Sequence, residues 1–172
     1  MLLLLLAFAF PVISGNGIKN VSMYPLGDMY KVRIDDHLQG IWKLREDTDK
    51  NNYFILEKQD DYTYSITYMD HGGDNRGLEH GRAFFSEIGG TKFLNVTNWN
   101  SHNVPGYIFL KIKEISAPRS WDMTACLVTD TTLDKFAGNA ELQALVEKNL
   151  NNPAFYGQDL HFRKKFEFNS FK

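Results

Sequence analysis

From residue 34 onward, short apolar runs alternate with polar turns, and in one run the apolar side chains occupy every second position. In residues 62–68 these side chains are Tyr62, Tyr64, Ile66 and Tyr68, with Thr, Ser and Thr between them. Successive side chains of a β-strand point to opposite faces, so a period of two predicts a strand whose aromatic face is directed inward.

Seven other runs are rich in aromatic and β-branched residues, which favour strands. They span residues 38–45, 53–58, 82–88, 92–96, 107–113, 121–128 and 160–168. Gly89 and Gly90 separate two of them, and paired glycines indicate a tight hairpin because such turns require positive φ. The chain lacks the strand–helix alternation of parallel sheets. We therefore predict a mainly β (β+α) fold in which an antiparallel sheet forms a barrel or a sandwich.

The spacing of apolar residues changes near the end of the chain, where it predicts a pair of helices before the closing strand. The first helix covers residues 131–136 and the second covers residues 140–150. Leu142, Leu145, Val146 and Leu150 recur at three and four residues, as on one face of a helix. Asn139 is expected to cap the second helix, and Pro153 prevents its continuation.

The first thirteen residues carry no charge and are almost all Leu, Ala, Phe and Val. This run is too short to cross a bilayer, but it has the length of a signal-peptide core followed by small residues. We expect residues 1–15 to be a signal peptide, residues 16–33 a tether and residues 34–168 one β-rich domain. The product would be periplasmic or secreted; the alternative is membrane anchoring through the N-terminal segment.

Composition narrows the classes of function. With 43% hydrophobic residues the 172-residue chain can build a packed core, and a net charge of −2 offers no footprint for nucleic acid. Cys126 is the only cysteine, which excludes an internal disulfide and a cysteine-based zinc site. No motif implies a cofactor or a set of catalytic residues.

Residues 38–42, Leu-Gln-Gly-Ile-Trp, resemble the Gly-x-Trp motif that begins the first strand of lipocalin-like (calycin-like) β-barrels. The resemblance implies that Trp42 closes the floor of a barrel. A longer likeness, over about residues 38–163, is to a loosely defined group of uncharacterised bacterial exported proteins, often lipoproteins. It rests on Gly-x-Trp, an acidic turn, and the segments at residues 53–58, 62–68, 89–96, 107–112, 140–143 and 152–155.

That second resemblance implies an exported barrel and no particular activity. The chain departs from the lipoprotein pattern at one position that matters. Ile13-Ser14-Gly15 fits the end of a lipoprotein signal, but Asn16 stands where the lipidated Cys is required. We therefore expect no lipid on this chain.

The densest polar cluster is the Gly-rich loop at residues 70–80. His71, Glu79 and His80 are of the types that bind metal ions, and they suggest a metal-assisted hydrolase as an alternative function. The spacing of known calcium loops and of His-Glu-x-x-His is absent. A Gly-rich loop is also polar simply because its backbone must be solvated.

A second loop, at residues 98–105, contains Trp99 and His102 beside several amides. At a barrel mouth Trp99 could stack on a sugar or peptide, and His102 could hydrogen-bond it. Trp42, Tyr64 and Tyr107 could line a ligand cavity inside the barrel, or they could simply fill its core.

The leading hypothesis is an exported protein that binds a small molecule or an envelope protein without catalysis. The alternatives are the hydrolase and a structural envelope or assembly protein. The last would expose an apolar patch on the helix that carries Leu142, Leu145 and Val146.

Overall fold

Eight antiparallel strands form a closed barrel in the computed structural model, each strand pairing with the next and the last with the first. The structure describes residues 21–45, 53–69, 78–98, 106–116, 122–130 and 132–166. The strands are β1 Gly40–Leu44, β2 Tyr53–Lys58, β3 Thr63–Met69, β4 Leu78–Ile88, β5 Thr91–Asn98, β6 Tyr107–Ile115, β7 Asp122–Val128 and β8 Tyr156–Phe166. The predicted antiparallel barrel is confirmed, and its lipocalin-like character is compatible with this topology; the alternative of a sandwich is not what the chain forms.

Strand register explains which side chains face inward. Tyr64 pairs with Ala83, Ala83 with Val96, and Val96 with Ile108, and all four are buried in the barrel interior. Directly opposed residues share a face of the sheet, so one buried position fixes the orientation of the neighbouring strands. The predicted alternation is confirmed for Tyr64, Ile66 and Tyr68, which are buried in this interior, whereas Tyr62 lies in the turn before β3.

Strand β4 begins four residues earlier than the apolar run predicts. Leu78 pairs with Met69 and His80 with Thr67, so Glu79 and His80 belong to the backbone of the strand and not to the loop. Hydrogen bonding to β3 extends the strand through a polar sequence that has no strand signature of its own. The hairpin prediction is confirmed, since Gly89 and Gly90 have φ values of 54° and 77°.

The described residues between β7 and β8 form one α-helix and not the predicted pair. Helix α1 spans Asn139–Lys148, whereas the first member of the pair is reduced to the single 3₁₀ turn Leu133–Lys135. A turn this short gains too few hydrogen bonds to propagate as an α-helix. The N-cap is Gly138 and not Asn139. The side chain of Asn139 instead bonds both the N–H and the carbonyl of Gly27, at 3.1 and 3.0 Å.

A second hydrophobic cluster lies outside the barrel. Phe93 of β5 and Phe109 of β6 point outward and pack with Leu142 and Val146 of α1 and with Leu26. Residues 93–97 of β5 are therefore buried on both faces, because one face meets the barrel interior and the other meets this outer cluster. No helix within the described residues is long and apolar enough to span a membrane.

Residues 21–34, which comprise the described part of the predicted tether (21–33) and Ile34, pack against the barrel wall and are called the strap below. Ser22 and Tyr107 exchange backbone hydrogen bonds of 3.0 and 2.8 Å, which joins the strap to β6. The buried backbone N–H of Leu26 donates to the Asn95 side chain at 2.8 Å. The strap then leads to a 3₁₀ helix, Asp36–Leu38, which crosses one end of the barrel just before β1.

Candidate functional site

Trp42 of β1 is fully buried in the barrel interior, next to the 3₁₀ helix that precedes β1, and this part of the interior is called the floor below. Its indole Nε1 donates to the carbonyl of Leu38 at 2.8 Å, and Leu38 ends the 3₁₀ helix. Gly40 has φ +141°, and a Cβ there would clash with the carbonyl of Phe166 on β8. The Gly-x-Trp spacing thus has a physical basis. Gly40 permits the close approach of β8, and Trp42, two residues later on the same face of β1, points into the floor.

Lys164 also belongs to this floor, and it lies directly opposite Trp42 where β8 pairs with β1. Its side chain is 2% exposed, and Nζ donates to the carbonyl of His37. The same ammonium lies 5.2 Å from the centroid of the Trp42 ring. Lys164 is the only charged residue among those that the described ranges bury. An ammonium held by a carbonyl and an aromatic face is compensated for the loss of water.

Tyr64 forms a further part of the floor from β3. Its hydroxyl accepts from the Asp35 N–H at 2.8 Å and donates to the Asp35 carbonyl at 2.7 Å. Burial raises the pKa of Tyr64 far above its ordinary value, with a smaller opposite effect from the Asp35 backbone. The phenol therefore stays neutral and ties Asp35, the residue that follows the strap, to the barrel.

Aromatic rings continue from the floor into the interior. Phe54 stacks on Trp42, with ring centroids 6.3 Å apart and planes 5° from parallel. Phe162 meets Phe54 edge-on at 5.5 Å, and Phe85 meets Tyr64 edge-on at 6.2 Å. These offset and edge-on contacts are favourable arrangements for aromatic pairs, so this end of the interior is densely filled.

Farther from the floor, one side of the interior is less completely buried. Leu110, Leu127 and Leu160 belong to the inner face of β6, β7 and β8 and remain half-buried. Leu110 pairs with Leu127, and Leu160 pairs with Ala125, so they form one continuous apolar surface, called here the lumen wall. Leu160 precedes Lys164 by two inward-facing positions, about 13 Å along the strand.

The structure separates the residues that the sequence suggested for ligand binding. Trp42 and Tyr64 both belong to the buried interior cluster, where their polar atoms bond backbone groups. Tyr107 lies on the outer face of β6, with its ring edge-on to Phe84 at 6.3 Å. Trp99 and His102 lie outside the described residues.

The suggested metal ligands are placed only in part. His71 and the side chain of Glu79 lie outside what the structure describes. His80 is exposed, and its Nδ1 lies 2.9 Å from the Thr67 hydroxyl. Glu79 and His80 are consecutive in β4, so their positions lie on opposite faces of the strand. Within the described ranges, no three His, Cys, Asp or Glu residues are grouped to hold a metal ion.

The sequence did not identify Lys164 or the lumen wall as parts of a site. In the sequence, Lys164 is two residues after Phe162 and four after Leu160, so a period of two places it on the same inward face. This pattern is hard to recognise because Arg163, Lys164 and Lys165 are all cationic and together look like an exposed segment. The lumen wall gives no local signal, because a leucine that lines a cavity and one that fills a core have the same pattern.

Comparison of the chain with protein-family models, with curated proteins and with solved structures found no match in any of the three.

Proposed function

We propose that this protein is an exported, non-catalytic binding protein that holds an apolar small molecule against the lumen wall of its barrel. The observation that carries the proposal is the partial exposure of Leu110, Leu127 and Leu160 on the inner face of three adjacent strands. Their inward orientation is fixed by strand register, so their contact with water implies space beside them.

The energetics favour an apolar occupant for this surface. Covering apolar side chains stabilises a complex by about 25 cal/mol for each Å² removed from water. The described interior offers no charged partner near the lumen wall, since the Lys164 ammonium is held in the floor by the His37 carbonyl and the Trp42 ring. A charged head group placed deep in the lumen would lose its hydration without compensation. The ligand is therefore an apolar body whose polar end remains near water.

The closed floor supports the same function. Trp42, Lys164 and Tyr64 each bond a backbone carbonyl at one end of the interior, so a ligand reaches the lumen from the other end. The Gly40-x-Trp42 arrangement and the eight-stranded closed barrel support a lipocalin-like relationship. The signal-like N-terminal residues and the resemblance to bacterial exported proteins support a periplasmic or secreted location.

A filled-lumen variant provides the test. The neutral probe Nile red, whose fluorescence rises in apolar surroundings, is titrated into the protein and then displaced by a long-chain alcohol, a fatty acid or a sterol. Leu127→Trp adds bulk to the lumen wall and is expected to weaken probe binding about tenfold or more. The matched control is Leu145→Trp on α1, a half-buried leucine in the outer cluster, which should leave binding unchanged.

Equal loss of binding in both variants, or saturable binding that Leu127→Trp does not alter, would place the probe elsewhere and overturn the lumen site. Location is tested separately by expressing the full chain in a bacterium and determining the mass of the fractionated product. The expected product is periplasmic or secreted and has lost about fifteen residues, the length of a short signal peptide.

A further inference from the structure

A row of apolar side chains lies on the outer wall of the barrel, where β8, β1 and β2 run side by side. Phe166 pairs with Ile41, and Ile41 pairs with Ile55. Directly opposed residues share a face of the sheet, and Ile41 precedes the inward-facing Trp42, so the row faces outward. Phe166 is 57% exposed and both isoleucines are half-buried. The row is therefore in contact with solvent.

A β-bulge explains why Phe166 faces outward. Ile41 pairs with Phe166. The next residue, Trp42, pairs with Lys164, so Lys165 is one extra residue in β8. Without this extra residue Phe166 would face inward, as Lys164 does. A bulge interrupts the hydrogen-bond ladder, and it is one of the devices by which a strand redirects a side chain. The bulge thus places an aromatic ring in water.

Four cationic side chains lie beside this row. Lys43 and Arg163 are directly opposed on the outer face of β1 and β8. Arg45 follows the end of β1, and Lys165 is the bulge residue next to Phe166; both are exposed. Like charges directly opposite each other destabilise a sheet, so the fold brings these cations together against their repulsion. The apolar row and the four cations are called here the docking face.

Two carboxylates offset part of this charge. Asp122 accepts from Arg45 at 2.6 Å and from Arg163 at 3.0 Å, so one carboxylate is shared by two guanidinium groups. Each guanidinium has five N–H donors and gives Asp122 one of them. Glu57 lies two positions beyond Ile55 on β2, and β1 separates it from the cations of β8. Among the described residues the docking face is net positive, whereas the whole chain has a charge of −2.

The shape of the docking face indicates the kind of partner. The outer wall of a closed barrel is convex, and the exposed ring stands on this wall. A convex wall does not enclose a peptide, but a layer of lipid headgroups can deform around it. Aromatic side chains beside Lys and Arg are typical of protein surfaces that lie in the headgroup region of membranes with anionic lipids.

We propose that the docking face binds the surface of a membrane that contains anionic lipids. Phe166 enters the headgroup layer, Ile41 and Ile55 approach it behind the ring, and the cations lie near lipid phosphates. Each Lys or Arg close to such a surface strengthens binding about fivefold, so a face with this small excess of charge gives reversible attachment. The proposal concerns the outside of the barrel and does not depend on the lumen site.

Cosedimentation of the exported product with lipid vesicles provides the test. Vesicles of phosphatidylcholine mixed with phosphatidylglycerol are compared with vesicles of phosphatidylcholine alone, at low salt because salt screens the charges. Poly-glutamate is the competing probe, since it offers negative charge on a polypeptide. Binding is expected to the mixed vesicles, and added salt should weaken it.

Paired variants locate the contact. Phe166→Ser should weaken vesicle binding about tenfold, because the exposed ring no longer enters the headgroup layer. Lys165→Gln should weaken it about fivefold. The matched controls are Tyr30→Ser, at an aromatic residue of the strap that is 62% exposed, and Lys92→Gln, at an exposed lysine of β5. Both controls should bind as the unmodified protein does. All variants have the same N-terminus, so any binding by that segment is common to them.

Absence of binding to the mixed vesicles would overturn the proposal, as would equal weakening by Phe166→Ser and Tyr30→Ser. Binding to poly-glutamate but not to vesicles would also overturn it, and it would identify an acidic protein as the partner. If Phe166→Ser fails to fold, Lys165→Gln decides, and unchanged binding in that variant contradicts the proposal. Leu127→Trp should leave vesicle binding intact, so the docking face and the lumen site can fail independently.

Discussion

Lys164 and Trp42 are paired neighbours on β8 and β1, and the Lys164 ammonium lies over the Trp42 indole, 5.2 Å from its centroid. The contact joins the last strand to the first, so it forms only when the barrel has closed. The same two side chains also donate hydrogen bonds to consecutive carbonyls of the 3₁₀ helix before β1. Lys164 bonds His37, and Trp42 bonds Leu38. The floor is thus one unit made from both ends of the domain.

Replacing Trp42 tests how much this floor contributes to stability. Trp42→Ala should reduce the free energy of unfolding by about 3–5 kcal/mol, because it leaves a cavity beneath Phe54 and an unpaired Leu38 carbonyl. Trp42→Phe keeps an aromatic ring and should cost less. Urea denaturation measures both, and equal costs would show that the stacked ring contributes little.

The Tyr64 hydroxyl offers a smaller and more specific test. Tyr64→Phe removes two hydrogen bonds to the Asp35 backbone and should destabilise the fold by about 1–2 kcal/mol. The control is Tyr62→Phe on the adjacent turn, whose ring packs edge-on against Tyr30 and whose change should be near zero. Thermal unfolding of the two variants, compared with the unmodified protein, measures both losses of stability. A loss confined to Tyr62→Phe would refute the role given to Tyr64.

Asn95 anchors the strap to the outer face of β5. Its side chain accepts from the Leu26 N–H at 2.8 Å and donates to the Ser86 hydroxyl at 2.9 Å, with all of these groups buried. Asn95→Ala should cost about 2–3 kcal/mol and expose the strap to limited proteolysis before the barrel unfolds. Asn151→Ala, at an exposed asparagine, is the matched control. Unaltered cleavage within residues 21–34 would show that the strap is held by other contacts.

Asp122 makes the stability of the barrel seam depend on pH. Its Oδ1 accepts from Arg163 at 3.0 Å and from Arg45 at 2.6 Å, which joins β7, β8 and the end of β1. These two side chains lower the pKa of Asp122 below its ordinary value of 3.8, Arg163 having the larger effect. The ionised carboxylate therefore stabilises the fold above that value. This contribution is lost as the pH falls through the lower pKa of the folded state.

The corresponding variant is Asp122→Asn. Because the three side chains are well exposed, the expected loss is only about 0.5–1 kcal/mol at neutral pH. The difference from the unmodified protein should disappear as the pH is lowered from about 6 to about 2. Urea denaturation across this range measures it. Asp134→Asn, at an exposed carboxylate, should show no such trend, and a constant difference for Asp122→Asn would exclude the ion pairs as its cause.

The sequence by itself determined the strands and the antiparallel order. Alternation in residues 62–68 and the glycine pair at 89 and 90 are local signals, and each is produced by geometry within a few residues. Gly40 and Trp42 were also recognisable from their spacing, and Trp42 is buried in the barrel interior. The helical stripe predicted α1, because Leu142 and Val146 lie on its buried face.

Only the tertiary structure decided how these elements close, and which residues meet. The extension of β4 to Leu78 depends on hydrogen bonds from β3, and the 3₁₀ turn at Leu133–Lys135 depends on how the chain packs outside the barrel. Lys164 is ordinary as a sequence position; it becomes a floor residue because β8 pairs with β1 across the length of the domain. Contacts between distant segments form when the barrel closes, and the pattern of apolar and polar residues within one segment does not predict them.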